Sequence, residues 1–241
     1  MMKNPMISKV RDAASTIGYG GDIATYGGVA TKTFGLVVLV ALSAVATWMA
    51  GYATPVTTAV TAIMGLIACL AISFKPDWAG FLSPLYAILE GMCLACVSVL
   101  LEGIFPGIVL SAVMLTFGVA LAAAVLYAKG VVKVTSGFVK VTMAALFGIL
   151  FAYLIEFALG LFGISFPLMH QGGMIGIAIN LLVVIVAAMC LFIDYEQINQ
   201  SVSAGLPKEA EWYCAFSLLV TLIWLYVEIL DLLKNIASSD D

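Results

Sequence analysis

Apolar residues run along this chain in seven unbroken stretches, and polar residues gather between them. Continuous runs of about 20 apolar residues are long enough to cross a hydrocarbon core of roughly 30 Å as helices, whereas the strands of a membrane barrel read as short segments of alternating polarity. The pattern therefore predicts seven transmembrane helices, near residues 33–52, 55–74, 81–101, 107–128, 141–162, 173–193 and 212–233. Residues 1–32 read as an N-terminal tail and residues 234–241 as a short acidic tail. The first run is longer than a signal-peptide core and reads as a retained span, although Ser43-Ala44-Val45-Ala46 faintly resembles a cleavage site.

Composition agrees with the pattern. The 241 residues are 63% hydrophobic and 10% charged, against about 25% charged in soluble domains. The fold class is an all-α integral membrane protein. A net charge of -4 is too small to suggest a partner, and nothing in the chain resembles a nucleic-acid surface. The connecting segments are short, which leaves no room for a separate soluble domain.

Charge sets the orientation. Lys3, Lys9, Arg11 and Lys32 precede the first span, Lys75 follows the second, Lys129, Lys133 and Lys140 follow the fourth, and Lys208 follows the sixth. Lys234 stands alone on the opposite face. By the positive-inside rule the N-terminus is cytoplasmic and the tail ending Asp240-Asp241 is outside. Trp48, Tyr52, Trp78, Tyr127 and Trp212 lie near span ends, where aromatic rings favour the interface. Pro84 marks or kinks the start of span three.

Within the spans the charges are acidic: Glu90, Glu156, Glu228 and Asp231, with Asp194 at the edge of span six. A carboxylate in hydrocarbon is costly unless it protonates, binds a cation or faces water, so acids without basic partners point to proton or cation handling. Asp194 is read as closing its helix at the C-terminal end, where the macrodipole opposes a negative charge. Asn180 lies fourteen residues earlier, nearly four turns, and projects roughly to the same side. It either lines a polar path or hydrogen-bonds a neighbouring helix. In span seven Thr221, Glu228 and Asp231 form a polar stripe, of which Asp231 is also explained as an interfacial acid. Glu90 lies close to the membrane midplane, beside Gly91, and Glu156 nearer the outer face.

Other chemistry is sparse. The five cysteines, Cys69, Cys93, Cys96, Cys190 and Cys214, all fall within predicted helices, and four of them read as packing residues. Cys93-Leu-Ala-Cys96 has the spacing of a redox or metal motif, but no histidine lies near it. His170 is the only histidine, which disfavours a His-based metal cluster or bis-His haem. No Gly-x-Ser-x-Gly elbow and no Gly-rich aspartyl protease signature are found, so no enzyme is read here.

The chain resembles the Bax inhibitor-1 family of transmembrane proteins. The likeness rests on Asp194-Tyr-Glu-Gln197-Ile198 at the end of span six, the polar-faced last span and the seven-span layout. Gly28-Val29-Ala30-Thr31-Lys32-Thr33, Tyr86 to Gly91, Glu211-Trp212-Tyr213 and Leu225-Tyr226-Val227-Glu228 are similar to a bacterial subgroup. The resemblance implies six helices surrounding a central last one, a bacterial inner membrane, and a pH-sensitive leak of calcium or other cations. It also implies that an acid ending span six and an acid in span seven share a proton and gate the pore. Asp194 takes the first position. Glu228 takes the second by the Leu-Tyr-Val-Glu pattern, and Thr221 takes it by the shorter family spacing. No cofactor is expected, with calcium as a transported ion only. The partners expected are the lipid bilayer and cations or protons. A different class remains open: a non-conducting regulator that binds another membrane protein, such as a quality-control protease.

Overall fold

In the computed structural model of the chain, residues 22–162 and 173–239 are described. Lys3, Lys9, Arg11, His170, Asp240 and Asp241 lie outside the described residues. Seven long helices occur among the described residues: α1 Tyr26–Met49, α2 Pro55–Phe74, α3 Ala79–Ile104, α4 Ile108–Ala128, α5 Ser136–Leu161, α6 Gly173–Ser203 and α7 Ala210–Ala237. A 3-10 turn, Pro76–Trp78, leads into α3. Each of the seven segments is long and apolar enough to span a membrane, and no β-strand occurs among the described residues. This is an all-α, multi-pass membrane protein.

Helix starts follow local chemistry. Thr25, Thr54 and Thr135 cap α1, α2 and α5, each accepting a hydrogen bond from the backbone N–H three residues on. Such caps satisfy donors that the first turn leaves open. Pro55 opens α2, where its missing N–H costs nothing. Pro84, by contrast, lies inside α3 rather than at its start. There it deprives the Gly80 carbonyl of its helical partner.

The two longest helices outrun the bilayer by the most. α6 has 31 residues and α7 has 28, about 46 and 42 Å at helical rise, against roughly 30 Å of hydrocarbon. Hydropathy locates only the apolar part of each, which is why span six is predicted to stop near 193 while α6 runs on to Ser203. Asp194 is therefore nine residues from the helix end. The macrodipole acts within the last turn, so it does not bear on Asp194. At the other end of the chain, α1 begins at Tyr26 rather than near 33, which places Lys32 inside a helix.

The chain divides into two compact units, and both α6 and α7 contribute to each. The first comprises residues up to Gly103 together with Asp194–Val220. Its described part holds α1, α2 and α3, the end of α6 and the start of α7. Residues just before α1 are clasped to the α6–α7 connection by an antiparallel bridge between Ile23 and Pro207, with Ala24 donating to the Leu206 carbonyl at 2.8 Å and Lys208 to the Asp22 carbonyl at 3.0 Å. Gly205, at φ +63°, turns the chain out of α6 in a conformation that costs other residues a steric clash. Leu36, Ile72, Ala87, Ala215 and Leu219 are buried in this unit, and the Tyr86 ring meets Phe216 edge-on at 5.1 Å.

The second unit comprises Ile104–Ile193 and Thr221–Asp241. Ile149, Val183 and Val186 form its buried cluster, flanked by Ala145, Tyr153, Ile179 and Trp224. Phe138 meets Phe192 edge-on at 6.2 Å. Half of the most apolar window of α6 and of α7 is buried, compared with 11–33% in the other five helices.

Candidate functional site: buried carboxyls of the two units

Five acids, Asp194, Glu211, Glu90, Glu228 and Asp231, have identifiable partners. In the first unit Asp194, on α6, is buried. Its Oδ1 accepts a hydrogen bond from the Ser217 hydroxyl of α7 at 2.6 Å. Tyr195, Tyr213 and Cys214 lie in its electrostatic surroundings.

Glu211, at the start of α7, is more deeply buried still. Sequence reasoning places it only within a family motif, and the structure gives it a far larger role. Its carboxylate pairs with Lys32 of α1. It also accepts from the Thr25 backbone N–H at 2.9 Å and the Thr25 hydroxyl at 3.1 Å. A side chain at Gly28 would collide with the Glu211 carboxyl, so glycine is what lets α1 approach. The Lys32 ammonium also lies 5.3 Å from the Trp212 ring centroid, within cation–π range. Trp212 is thus a packing partner as well as an aromatic near a helix end. The signal that could have found this pair was the joint presence of Gly28 to Thr33 and Glu211 to Tyr213 among the quoted motifs.

At the unit's surface Lys208 bonds the Asp22 carboxylate at 2.9 Å. The lysine hydrogen bond and charge hold the Asp22 carboxyl below its ordinary value, and Asp22 in turn raises Lys208.

Glu90 stands apart from these. Its carboxyl lies over Gly65 of α2, where an added Cβ would come within 2.9 Å of Oε1. Tyr86, one turn earlier on α3, supplies a hydrogen bond.

In the second unit Glu228 is buried. Its Oε1 accepts from the Tyr153 hydroxyl of α5 and from the Trp224 indole N–H, both at 2.8 Å. Trp224 is one turn back on the same helix. Asp231 takes a hydrogen bond from the Asn180 amide at 3.0 Å and pairs with Lys234. Asn180 is therefore a helix-to-helix tie between α6 and α7. Asp231 belongs with it, and it has a basic partner that counting charges within spans does not disclose. Thr221 is buried. Glu156 is half-buried on α5.

On α7, Ser217 bonds Asp194. Glu228 lies eleven residues further along the same continuous helix, about 16 Å of rise. Asp194 and Glu228 each have their own set of donors. Among the described residues no group of three His, Cys, Asp or Glu side chains could hold a metal ion, and all five cysteines are free thiols.

No curated protein matches the chain. The family described as Bax inhibitor 1 like matches residues 4–238, nearly the entire length. With seven apolar helices and that match, the chain belongs to the Bax inhibitor 1 like family of membrane proteins.

Proposed function

We propose that the protein is a pH-sensitive leak for calcium or other cations, or a proton-coupled channel, in which membrane-embedded carboxyls bind the moving ion. The observation that carries this reading is the company kept by Asp194 and Glu228. Both are buried, and neutral donors stand at each: a serine hydroxyl at 2.6 Å for one, a tyrosine hydroxyl and an indole N–H at 2.8 Å for the other. Neutral donors stabilise a carboxylate without cancelling its charge, so proton or cation exchange stays within energetic reach.

In this reading Asp194 senses pH. As a carboxylate it accepts from Ser217, and on protonation it gains a donor and loses its pull on a cation. Glu228 holds a second exchange point, Thr221 contributes a hydroxyl along α7, and Asn180 with Asp231 fixes the α6–α7 register. Six helices surrounding a central α7, an N-terminus in the cytoplasm, a C-terminus outside and residence in a bacterial inner membrane complete the proposal. It includes no catalytic step and no resident cofactor.

Purified protein reconstituted in vesicles with a trapped calcium dye tests it. Wild type should pass calcium with a pH dependence that Asp194→Asn flattens. Wild-type flux after neutralising both Asp194 and Glu228 would refute the proposal. Absence of flux, together with a stoichiometric membrane partner captured by cross-linking in native membranes, would instead identify a non-conducting regulator.

A further inference from the structure

Glu90 is an acid that the proposed leak does not use, and its position is the most demanding in the molecule. It lies eleven residues from the start of α3 and fourteen from its end, about 16 and 21 Å at helical rise. Either distance is at least half of a roughly 30 Å hydrocarbon core. Glutamate is too short to extend its head group to the interface as lysine and arginine do.

Its surroundings are built around the carboxyl. Gly65 on α2 leaves the space that the Glu90 Oε1 occupies. Gly91, the next residue, allows α1 to approach so closely that a side chain there would strike Ser43 and the Val40 carbonyl. Tyr86 bonds the carboxyl from one turn away, and Tyr86 is itself held by Phe216.

The titratable groups facing Glu90 are Tyr86 and Cys93 on α3 and Cys69 on α2, with Tyr213 of α7 beyond Cys69. All are neutral at pH 7 in their ordinary state. No Lys, Arg or His pairs with Glu90 among the described residues. A carboxylate in this setting would be an uncompensated charge in hydrocarbon, whereas the protonated acid needs only the hydroxyl and carbonyl partners of a neutral group.

We infer that Glu90 is a proton-binding site in its own right, a carboxylic acid seated between Gly65 of α2 and Tyr86 of α3, separate from Asp194 and Glu228. Its ligand is the proton. The site does not depend on the leak reading.

A hydrophobic carbodiimide reports such a group. The acid proton passes to a carbodiimide nitrogen while the carboxyl oxygen bonds to the central carbon, leaving an adduct on the side chain. Wild-type protein in lipid vesicles should carry that adduct at Glu90, located by peptide mass spectrometry. Above the site's midpoint, labelling should fall about tenfold per pH unit, as single-site occupancy requires. Glu90→Gln should lose the label from that peptide, and the Asp194→Asn, Glu228→Gln double variant should keep it. Absence of the wild-type adduct at every pH, or labelling by a water-soluble carbodiimide alone, would overturn the site. Loss of the label in the double variant would overturn its separateness. Vesicles that label at Glu90 yet pass no calcium would sink the leak reading and leave this one standing.

Discussion

Replacing Lys32 with methionine removes one charge from a pair whose other member cannot reach water. The Lys32 side chain is 17% exposed and that of Glu211 only 1%, so the substitution leaves a carboxylate buried. Breaking a buried pair from one side costs about 3–5 kcal/mol. Two features place this case at the lower end. Thr25 still donates twice to Glu211, and methionine retains most of the apolar stem against Trp212. The expected loss is about 3 kcal/mol, or roughly a hundredfold in the unfolding equilibrium. Thermal unfolding of the detergent-solubilised protein measures it, with Lys129→Met as control because Lys129 is exposed. The double variant Lys32→Met, Glu211→Gln supplies the decisive comparison. Glutamine carries no charge to strand, so the double variant should recover most of the loss. If Lys32→Met is no worse than Lys129→Met, or if the double variant is as unstable as the single, the pair does not hold α1 to α7.

Two further outcomes follow from the hydrogen bonds. Tyr153→Phe deletes one of the donors to the buried Glu228 carboxyl and should cost about 1–3 kcal/mol, read as a lower unfolding temperature; an unaltered temperature would remove Tyr153 from the site. The Asp22–Lys208 pair should show its pH dependence at the two ends of the range. The Asp22 carboxyl is held below its ordinary value by Lys208, so its contribution is present above about pH 3.9 and is lost as the pH falls further through the lowered value. Lys208 is raised in turn by Asp22, so the pair is also lost as the pH climbs above about 10.4 through that raised value. Asp22→Asn should therefore leave the pH dependence of the unfolding temperature unaltered near neutrality and flatten it below about pH 4 and above about pH 10.4, and a change confined to neutral pH would contradict the assignment.

The seven spans were legible in the sequence because their signal is local. A stretch of twenty apolar residues declares itself without reference to any other part of the chain, and all seven predicted runs lie largely within observed helices. Helix ends were less so. The extension of α6 past Asp194 is polar enough to leave the hydropathy signal, yet its backbone stays helical to Ser203. The start of α1 is marked by the Thr25 cap, which lies before the apolar run begins.

Partner choice belonged to the tertiary structure. Lys32 and Glu211 are 179 residues apart, Tyr153 and Glu228 75, and Asn180 and Asp231 51. Each pairing depends on how a helix is rotated about its axis. In a soluble protein the apolar stripe reveals that rotation, but helices such as α4 and α5 are apolar all round and mark no preferred face. The sequence by itself determined that the chain crosses a membrane and that acids cross with it. Only the packed helices decided that Glu211 meets Lys32, that Asp231 meets Asn180 and Lys234, that Asp194 rests on Ser217, and that Glu90 lies against a glycine with a tyrosine for company. The physical reason is that hydrophobic length is a property of one segment, whereas satisfying a buried carboxyl requires groups from others.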